Sequence, residues 1–419
     1  MIILDPKAYL IGLFHHAVSA ADPMKVVATH LPPKPAGRLL IIGAGKASAR
    51  MAEAVEAQYG PCEGYVITRY GYARPTQGIK VVEAAHPVPD AAGESATRHL
   101  LELVSDLSSD DTVIALISGG GSALLCAPIE GVTLDEKMSL NKALLASGAP
   151  ISEMNTIRKR LSRVKGGKLA EAVYPARLIT LMISDIPGDD PSLIASGPSV
   201  ADTSTAKAAL EIIDRRNIDL PNHLRAAVKT SLDGPRKGAS VLETARSVII
   251  AAPARSLNEA AKNSGEVEVR ILGDALEGEA RDLAAEHANM ALSIQGTMSP
   301  GDTPILLLSG GECTVTKRGD GIGGPNAEYV LAAAVALNGA KGIHVLACDT
   351  DGVDGAAEVA GAYAGPEMLA KADQTDTSAK AALETNDAHR FFKKLDDQII
   401  TGPTMTNVND FRAILILPN

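Results

Sequence analysis

Short runs of consecutive apolar residues alternate along the chain with longer segments whose apolar positions recur every three or four residues. "RLLIIGAG" (38–45) leads into "KASARMAEAVEAQ" (46–58), and "GYVITRY" (64–70) follows. "IKVVEAAHPV" (79–88) precedes "DAAGESATRHLLELVS" (90–105), and "DTVIALISGGG" (111–121) comes next. Beyond a long helical region (133–173) lie "ARLITLMISD", "SVIIAAP", "VEVRILG", "PILLLSGG", "GIHVLACD" and "AILILP". Strands that alternate with helices predict α/β layers with a largely parallel sheet. At 419 residues the chain is too long for one ordinary core. We therefore expect two α/β domains, each with a largely parallel sheet, facing a central cleft. Residues 214–240 combine proline, glycine, asparagine and charge and are the best linker. They place a Rossmann-like N-terminal domain at 1–235 and a C-terminal domain at 236–419, with the final strand free to join either sheet. At the N-terminus, Leu10, Leu13, Phe14 and Val18 fall on one helical face. With Asp5 and Lys7 interrupting the apolar stretch, this segment reads as an amphipathic helix and not a signal peptide.

Ligands on such sheets sit beyond the carboxyl ends of the strands, so the residues just after each strand carry the chemistry. "ISGGGSAL" (117–124) and "LSGGECTV" (308–315) both strip side chains from the backbone at that point. Three successive glycines cost conformational entropy and are used where the backbone turns with positive φ or a ligand touches it. Backbone N–H groups in such a loop favour anions. Ser118, Gly119, Gly120, Gly121 and Ser122 are thus candidates for binding phosphate or substrate, with Glu312 in the second loop. In "GAGKAS" (43–48), Lys46 opens a helix, where a cation opposes the helix dipole unless an anion lies between them. The spacing is not a Walker loop, and Ser48 stands where a dinucleotide fingerprint has its third glycine.

Two strand ends crowd carboxylates: Asp185, Asp189 and Asp190 after one, Asp349, Asp351 and Asp354 after another. Turn chemistry explains some of them. Six exceed that need, and Mg²⁺ shared with phosphates would make the crowding favourable. "NTIRKRLSRVKGGKLA" (155–170) holds six cations between Arg158 and Lys168. Gly166 and Gly167 suggest a break that presents Lys165 and Lys168 to an anion, with Arg158 a further candidate. His86, in "HPVPD", reads as structural, and no histidine accompanies Ser118 or Ser122 in a hydrolase pattern.

Composition narrows the classes. The chain is 46% apolar and 21% charged, but only 3% aromatic with no tryptophan, so base-stacking surfaces are not expected. A formal charge of −10 argues against nucleic-acid and anionic-membrane partners. No 18 apolar residues run together. Four cysteines without CxxC spacing fit reduced, packed thiols in a cytoplasm. The inventory suits phosphoryl transfer from a nucleotide, which relies on positioning and electrostatics. Homo-oligomer formation is left open by the sequence.

In order along the chain, "GAGKAS", "SGGGSAL", "IRKRLSRVKGGKLA", "SDIPGDDPSLIASGP", "LSGGECTVT", "DTDGVDGAAEVAGA" and "TGPTMTNVND" resemble the class II glycerate 2-kinases. That family carries a MOFRL-type C-terminal domain, and many members are catalogued as hydroxypyruvate reductases. The resemblance covers nearly the whole chain. It implies phosphorylation of the 2-hydroxyl of D-glycerate with ATP and Mg²⁺. It also implies catalytic roles for Lys46, Asp189 and Asp351, and binding roles for Asn326 and Asn407. Many members read GGRNQE where this chain has "GGPNAE" (323–328), so Pro325 replaces a cation. The alternative is an NAD(P)H-dependent hydroxypyruvate reductase, with Arg69 facing a 2′-phosphate; a nucleotide sensor without turnover is a third reading.

Overall fold

The computed structural model describes residues 3–418. Two compact units divide the chain. One comprises residues 23–185 and 189–250; the other comprises the segment up to Asp22, residues 186–188 and the chain from Ala251 on. The division near 250 falls downstream of the expected linker, and the first helix belongs to the unit built mainly from the C-terminal half.

The first unit holds β1 (Leu39–Ala44), β2 (Glu63–Arg69), β3 (Ile79–Ala84), β4 (Thr112–Ile117), β5 (Arg177–Ile183) and β6 (Ala245–Ala251). They form one six-stranded sheet in the order β3-β2-β1-β4-β5-β6. The β3–β2, β2–β1, β1–β4 and β4–β5 pairs are all parallel. All six residues of β4 are buried, which is why its sequence is an unbroken apolar run and not an alternation. The strand order reverses between β1 and β4, and that reversal opens a crevice at the carboxyl ends. Ala44 pairs with both Ile67 and Ile117, so Gly45 and Ser118 leave the sheet side by side.

The second unit holds β7 (Glu268–Gly273), β9 (Ile305–Ser309), β11 (Ile343–Asp349), β12 (Gly361–Ala364), β13 (Gln398–Ile399) and β14 (Asp410–Ile416). A separate short ladder pairs β8 (Gly278–Glu279) with β10 (Cys313–Thr314). The main sheet runs β13-β12-β11-β14-β9-β7. Here the parallel expectation holds only for β7 with β9; the other pairs are antiparallel. The cause is topological. A parallel pair needs a crossover, whereas β11 returns into β12 through residues 350–360 without a helix. The C-terminal strand then inserts antiparallel between β11 and β9.

Helix Pro6–Ala20 buries Leu10, Leu13, Phe14 and Ala17. These residues share a core with Leu306, Leu308, Leu346 and Leu415 of this sheet, and the Phe14 ring lies 5.9 Å from that of Phe411. Asp5 caps the helix by accepting from Ala8 N at 3.0 Å. Among the described residues no helix is long and apolar enough to cross a membrane, and the four cysteines are free and buried.

Phe14 is fully buried, so Phe14→Ala should destabilise this unit by about 3–5 kcal/mol. Urea unfolding followed by circular dichroism should show a lowered midpoint with a native spectrum in buffer. An unchanged midpoint would remove the helix from this core.

Candidate active site

The first glycine loop is fixed by contacts that only glycine permits. Gly120 has φ 78° and forms the N-terminal boundary of the short helix Gly121–Leu124. A Cβ there would lie 2.9 Å from the His86 ring and 3.3 Å from Lys46 Cγ. Those distances place His86, Lys46 and the bare backbone of Gly120 around one point. Ser118, fully buried, accepts from Ala47 N at 3.0 Å, and Lys46 N donates to the Gly119 carbonyl at 2.8 Å. The ends of β1 and β4 are thereby stitched together. Ser48 fills the place of a third glycine and donates to the Leu116 carbonyl at 2.9 Å.

Beside the loop, Ala195, Ser196 and Gly197 are three successive residues with positive φ, at 49°, 64° and 63°. For the two non-glycines this is stored strain of the kind concentrated at functional sites. Ser196 hydrogen-bonds Ser122 at 2.8 Å and donates to Asn155 at 3.3 Å.

A cavity of about 180 Å³ opens against this loop. Gly120, Ser122 and His86 line it together with Lys137, Asn141, Arg158 and Lys165, while Leu140 and Leu161 supply apolar wall. No Asp or Glu lines it. Lys165 is fully buried; its ammonium donates to the Ser122 carbonyl at 2.6 Å, to Ser122 Oγ at 3.1 Å and to the Leu125 carbonyl at 3.3 Å. Burial, and then the charges of Lys137 and Arg158, push it well below the ordinary lysine value. Burial likewise lowers Lys137 and Arg158. Arg158 contacts the amide oxygens of Asn141 and Asn155 but no carboxylate.

The rest of the basic stretch serves the fold. Arg160 bridges Asp202 and Asp233, each at 2.6 Å, and Lys159 reaches Asp202 at 3.3 Å. Lys168 does not face an anion, as its sequence position suggested; it donates to the Lys159 and Ser162 carbonyls at 2.9 and 2.8 Å.

After β5, Asp190 is turn chemistry: its carboxylate accepts from Ser192 N at 2.8 Å. Asp185 stands half-buried just beyond Ser184. Asp189 differs. It has φ 54°, and its Oδ1 is buried without a hydrogen-bond partner.

In the second unit the carboxylates are mostly committed. Asp354 accepts from Asn326 N at 3.0 Å and Ala327 N at 2.9 Å, and meets His389 at 3.0 Å. It accepts from the first N–H groups of helix Pro325–Leu337, whose N-cap position is Gly324, and the dipole there favours a negative charge. That role replaces the metal-ligand role expected for it. Pro325 takes the first helical position, where proline is favoured. Asn326 is buried and donates to Asp410 at 2.6 Å, so its amide points into the interior. Asp351 is buried and accepts from Val353 N at 2.8 Å. Asn407, also buried, accepts from Asn409 N at 3.2 Å. Glu312 is exposed at the end of the second glycine loop. The Gly310 and Gly311 carbonyls there accept from Arg412 at 2.8 and 3.2 Å, which makes that loop a packing feature. Among the described residues no three His, Cys, Asp or Glu side chains converge as a metal cage.

A family model described as a domain of unknown function (DUF4147) matches residues 9–232, and that of the MOFRL family matches residues 305–410. A protein of Thermotoga maritima named D-glycerate 2-kinase is 36% identical over 99% of this chain and 100% of its own. The chain belongs to the glycerate 2-kinase family. The crystal structure of glycerate kinase from Thermotoga maritima superposes with a TM-score of 0.88, covering 98% of this chain and 99% of that one. A relative from Agrobacterium vitis, provisionally named a hydroxypyruvate reductase, is 48% identical over 99% of this chain and 95% of its own. Within this glycerate 2-kinase family member, Lys137, Asn141 and His86 line the cavity and Ser196 hydrogen-bonds Ser122 beside it, and motif reading selected none of them. The signal for Lys137 was available, since it shares a helical face with the buried Leu140 and Leu144.

The two kinds of aspartate should separate by experiment. Asp354→Asn should lower stability by about 1–2 kcal/mol through the lost cap and leave the Mg²⁺ concentration for half-maximal activity unchanged. Asp189→Asn should raise that concentration with little effect on thermal unfolding. The reverse pattern would exchange their roles.

Proposed function

We propose that this protein is a kinase that transfers the γ-phosphoryl group of ATP to the 2-hydroxyl of D-glycerate, giving 2-phosphoglycerate. One observation carries the reading: a glycine loop at the strand-order reversal, flanked by Lys46 and by a cation-lined cavity in the same unit. The Gly121 N–H donates to the Ser118 carbonyl at 3.1 Å, and the remaining backbone N–H groups of the loop, at residues 119, 120 and 122, suit phosphate oxygens. Lys46, whose stem crosses Gly120, suits the charge that develops on the transferring group.

Magnesium fits the residues present. Asp189 Oδ1 is a hard oxygen donor, buried and without a partner, and Mg²⁺ is usually held by only one or two carboxylates, with waters and substrate phosphates completing its shell. A three-carboxylate cage is therefore not needed. When bound, the ion would neutralise charge on the bridging phosphate oxygens. Asp189 and Asp351 are the proposed catalytic carboxylates, with Asp185 beside the metal.

A hydride-transfer reading draws on the name of the Agrobacterium relative. Against it, Ser48 occupies the third-glycine position and is packed on Leu116, and Arg69 lies over the Tyr72 ring at 5.2 Å.

Protein incubated with D-glycerate, ATP and Mg²⁺ should form ADP and 2-phosphoglycerate, abolished by a chelator. With hydroxypyruvate and NADH or NADPH it should consume no reduced nicotinamide. Chelator-insensitive oxidation of the nicotinamide without ADP formation would overturn the kinase reading. Lys46→Ala should cost roughly 3–4 kcal/mol of barrier stabilisation, about 10²–10³ in turnover, with thermal unfolding unchanged.

A further inference from the structure

Lys137 is the one cation of the cavity with no oxygen acceptor of its own. It is only 9% exposed, and it lines the cavity. Burial lowers its pKa; the neighbouring Cys126 thiol, by charge and hydrogen bonding, and the Glu94 charge oppose that lowering, and no oxygen acceptor reaches Nζ. Long cationic side chains are almost never buried unpaired. This one shares its cavity with two further cations, Arg158 and Lys165, and no carboxylate lies among the lining residues. Like charges in such surroundings repel one another. A fold that keeps three of them together does so where an anion arrives from outside.

The acceptors already spent narrow the binding atoms. Lys165 has three protein acceptors, so its ammonium holds the glycine loop and adds field. Arg158 is oriented by Asn141. Lys137 alone among them makes no hydrogen bond to a protein oxygen. Size narrows the ligand: drug-sized molecules occupy roughly 300–1,000 Å³, whereas this cavity of about 180 Å³ suits a small acid and not a nucleoside triphosphate. Leu140 and Leu161 close the apolar side.

We infer that Lys137 and Arg158 bind the carboxylate of the 2-hydroxy acid, and that the cavity walls restrict the acid to a short, unbranched chain. This rests on the kinase reading for the identity of the acid, but not for the presence of an anion site. The acid's 2-hydroxyl would then lie toward Gly120, where Lys46 and the loop meet.

Lys137→Met keeps most of the apolar stem while removing a charge whose burial is unfavourable, so the variant should fold and melt no lower than the parent. In steady-state assays it should raise the KM for D-glycerate about 10- to 100-fold and leave the KM for ATP within twofold. Calorimetry with D-glycerate alone should show binding to the parent protein and at least tenfold weaker binding to Lys137→Met, with Lys137→Arg restoring part of it. Glycerate affinity unchanged in Lys137→Met would overturn the inference. So would a raised KM for ATP with glycerate unaffected, which would assign the cavity to nucleotide phosphates. Lys137-dependent binding of glycerate without any ADP formation would leave the anion site standing and sink only the kinase reading.

Discussion

Burying a cation in protein costs several kcal/mol unless a partner is buried with it, and the cavity at the end of β4 gathers three, two of them buried, with no carboxylate among its lining residues. Much of the surrounding architecture serves to hold them there. Helix Leu134–Ala146 carries Lys137 inward on the same face as Leu140 and Leu144, and its start is fixed by a capping box between Thr133 and Glu136. Helix Ile151–Arg160 delivers Arg158 from the other side, anchored at its end by the Arg160 bridges to Asp202 and Asp233. Lys165 fastens the cluster to the glycine loop through the Ser122 and Leu125 carbonyls. The glycine loop and the cation-lined cavity are therefore joined by one ammonium group.

Charge is handled differently in the second unit. Its buried ions are paired: Asp410 with Arg412 at 2.7 Å, Arg281 with Glu328 at 2.5 Å, and Asp354 with two helix N–H groups. Such closed networks fix helix and strand ends, and breaking one partner is costly. The departure at Pro325 belongs to this logic. Pro325 is the first residue of a helix whose N-terminal N–H groups meet the Asp354 carboxylate, and the helix is well formed without a cation at that position.

The two α/β layers and the glycine turn after β4, with Gly120 at positive φ, were legible because apolar runs and glycine triplets are local signals. Strand direction was not. "AILILP" reads the same whichever way it enters a sheet, so its antiparallel insertion between β11 and β9 was invisible, as was the docking of helix Pro6–Ala20 on Phe411. Motif reading also overvalued clustered aspartates. Asp354 caps a helix that starts at Pro325, a partnership between segments far apart in sequence. Lys168 and Lys165 were recognised as special for their flanking glycines, yet their donors are taken by nearby carbonyls. Lys137 lacked any motif, and its only trace was a charged residue in register with buried leucines.

On this reading the acid substrate supplies the negative charge that the cavity lining lacks. A crystal structure of the protein soaked with D-glycerate tests it directly. The account predicts the carboxylate within hydrogen-bonding distance of Lys137 Nζ and the Arg158 guanidinium, with the 2-hydroxyl directed toward Gly120. Glycerate bound elsewhere, with only water beside Lys137, would contradict it.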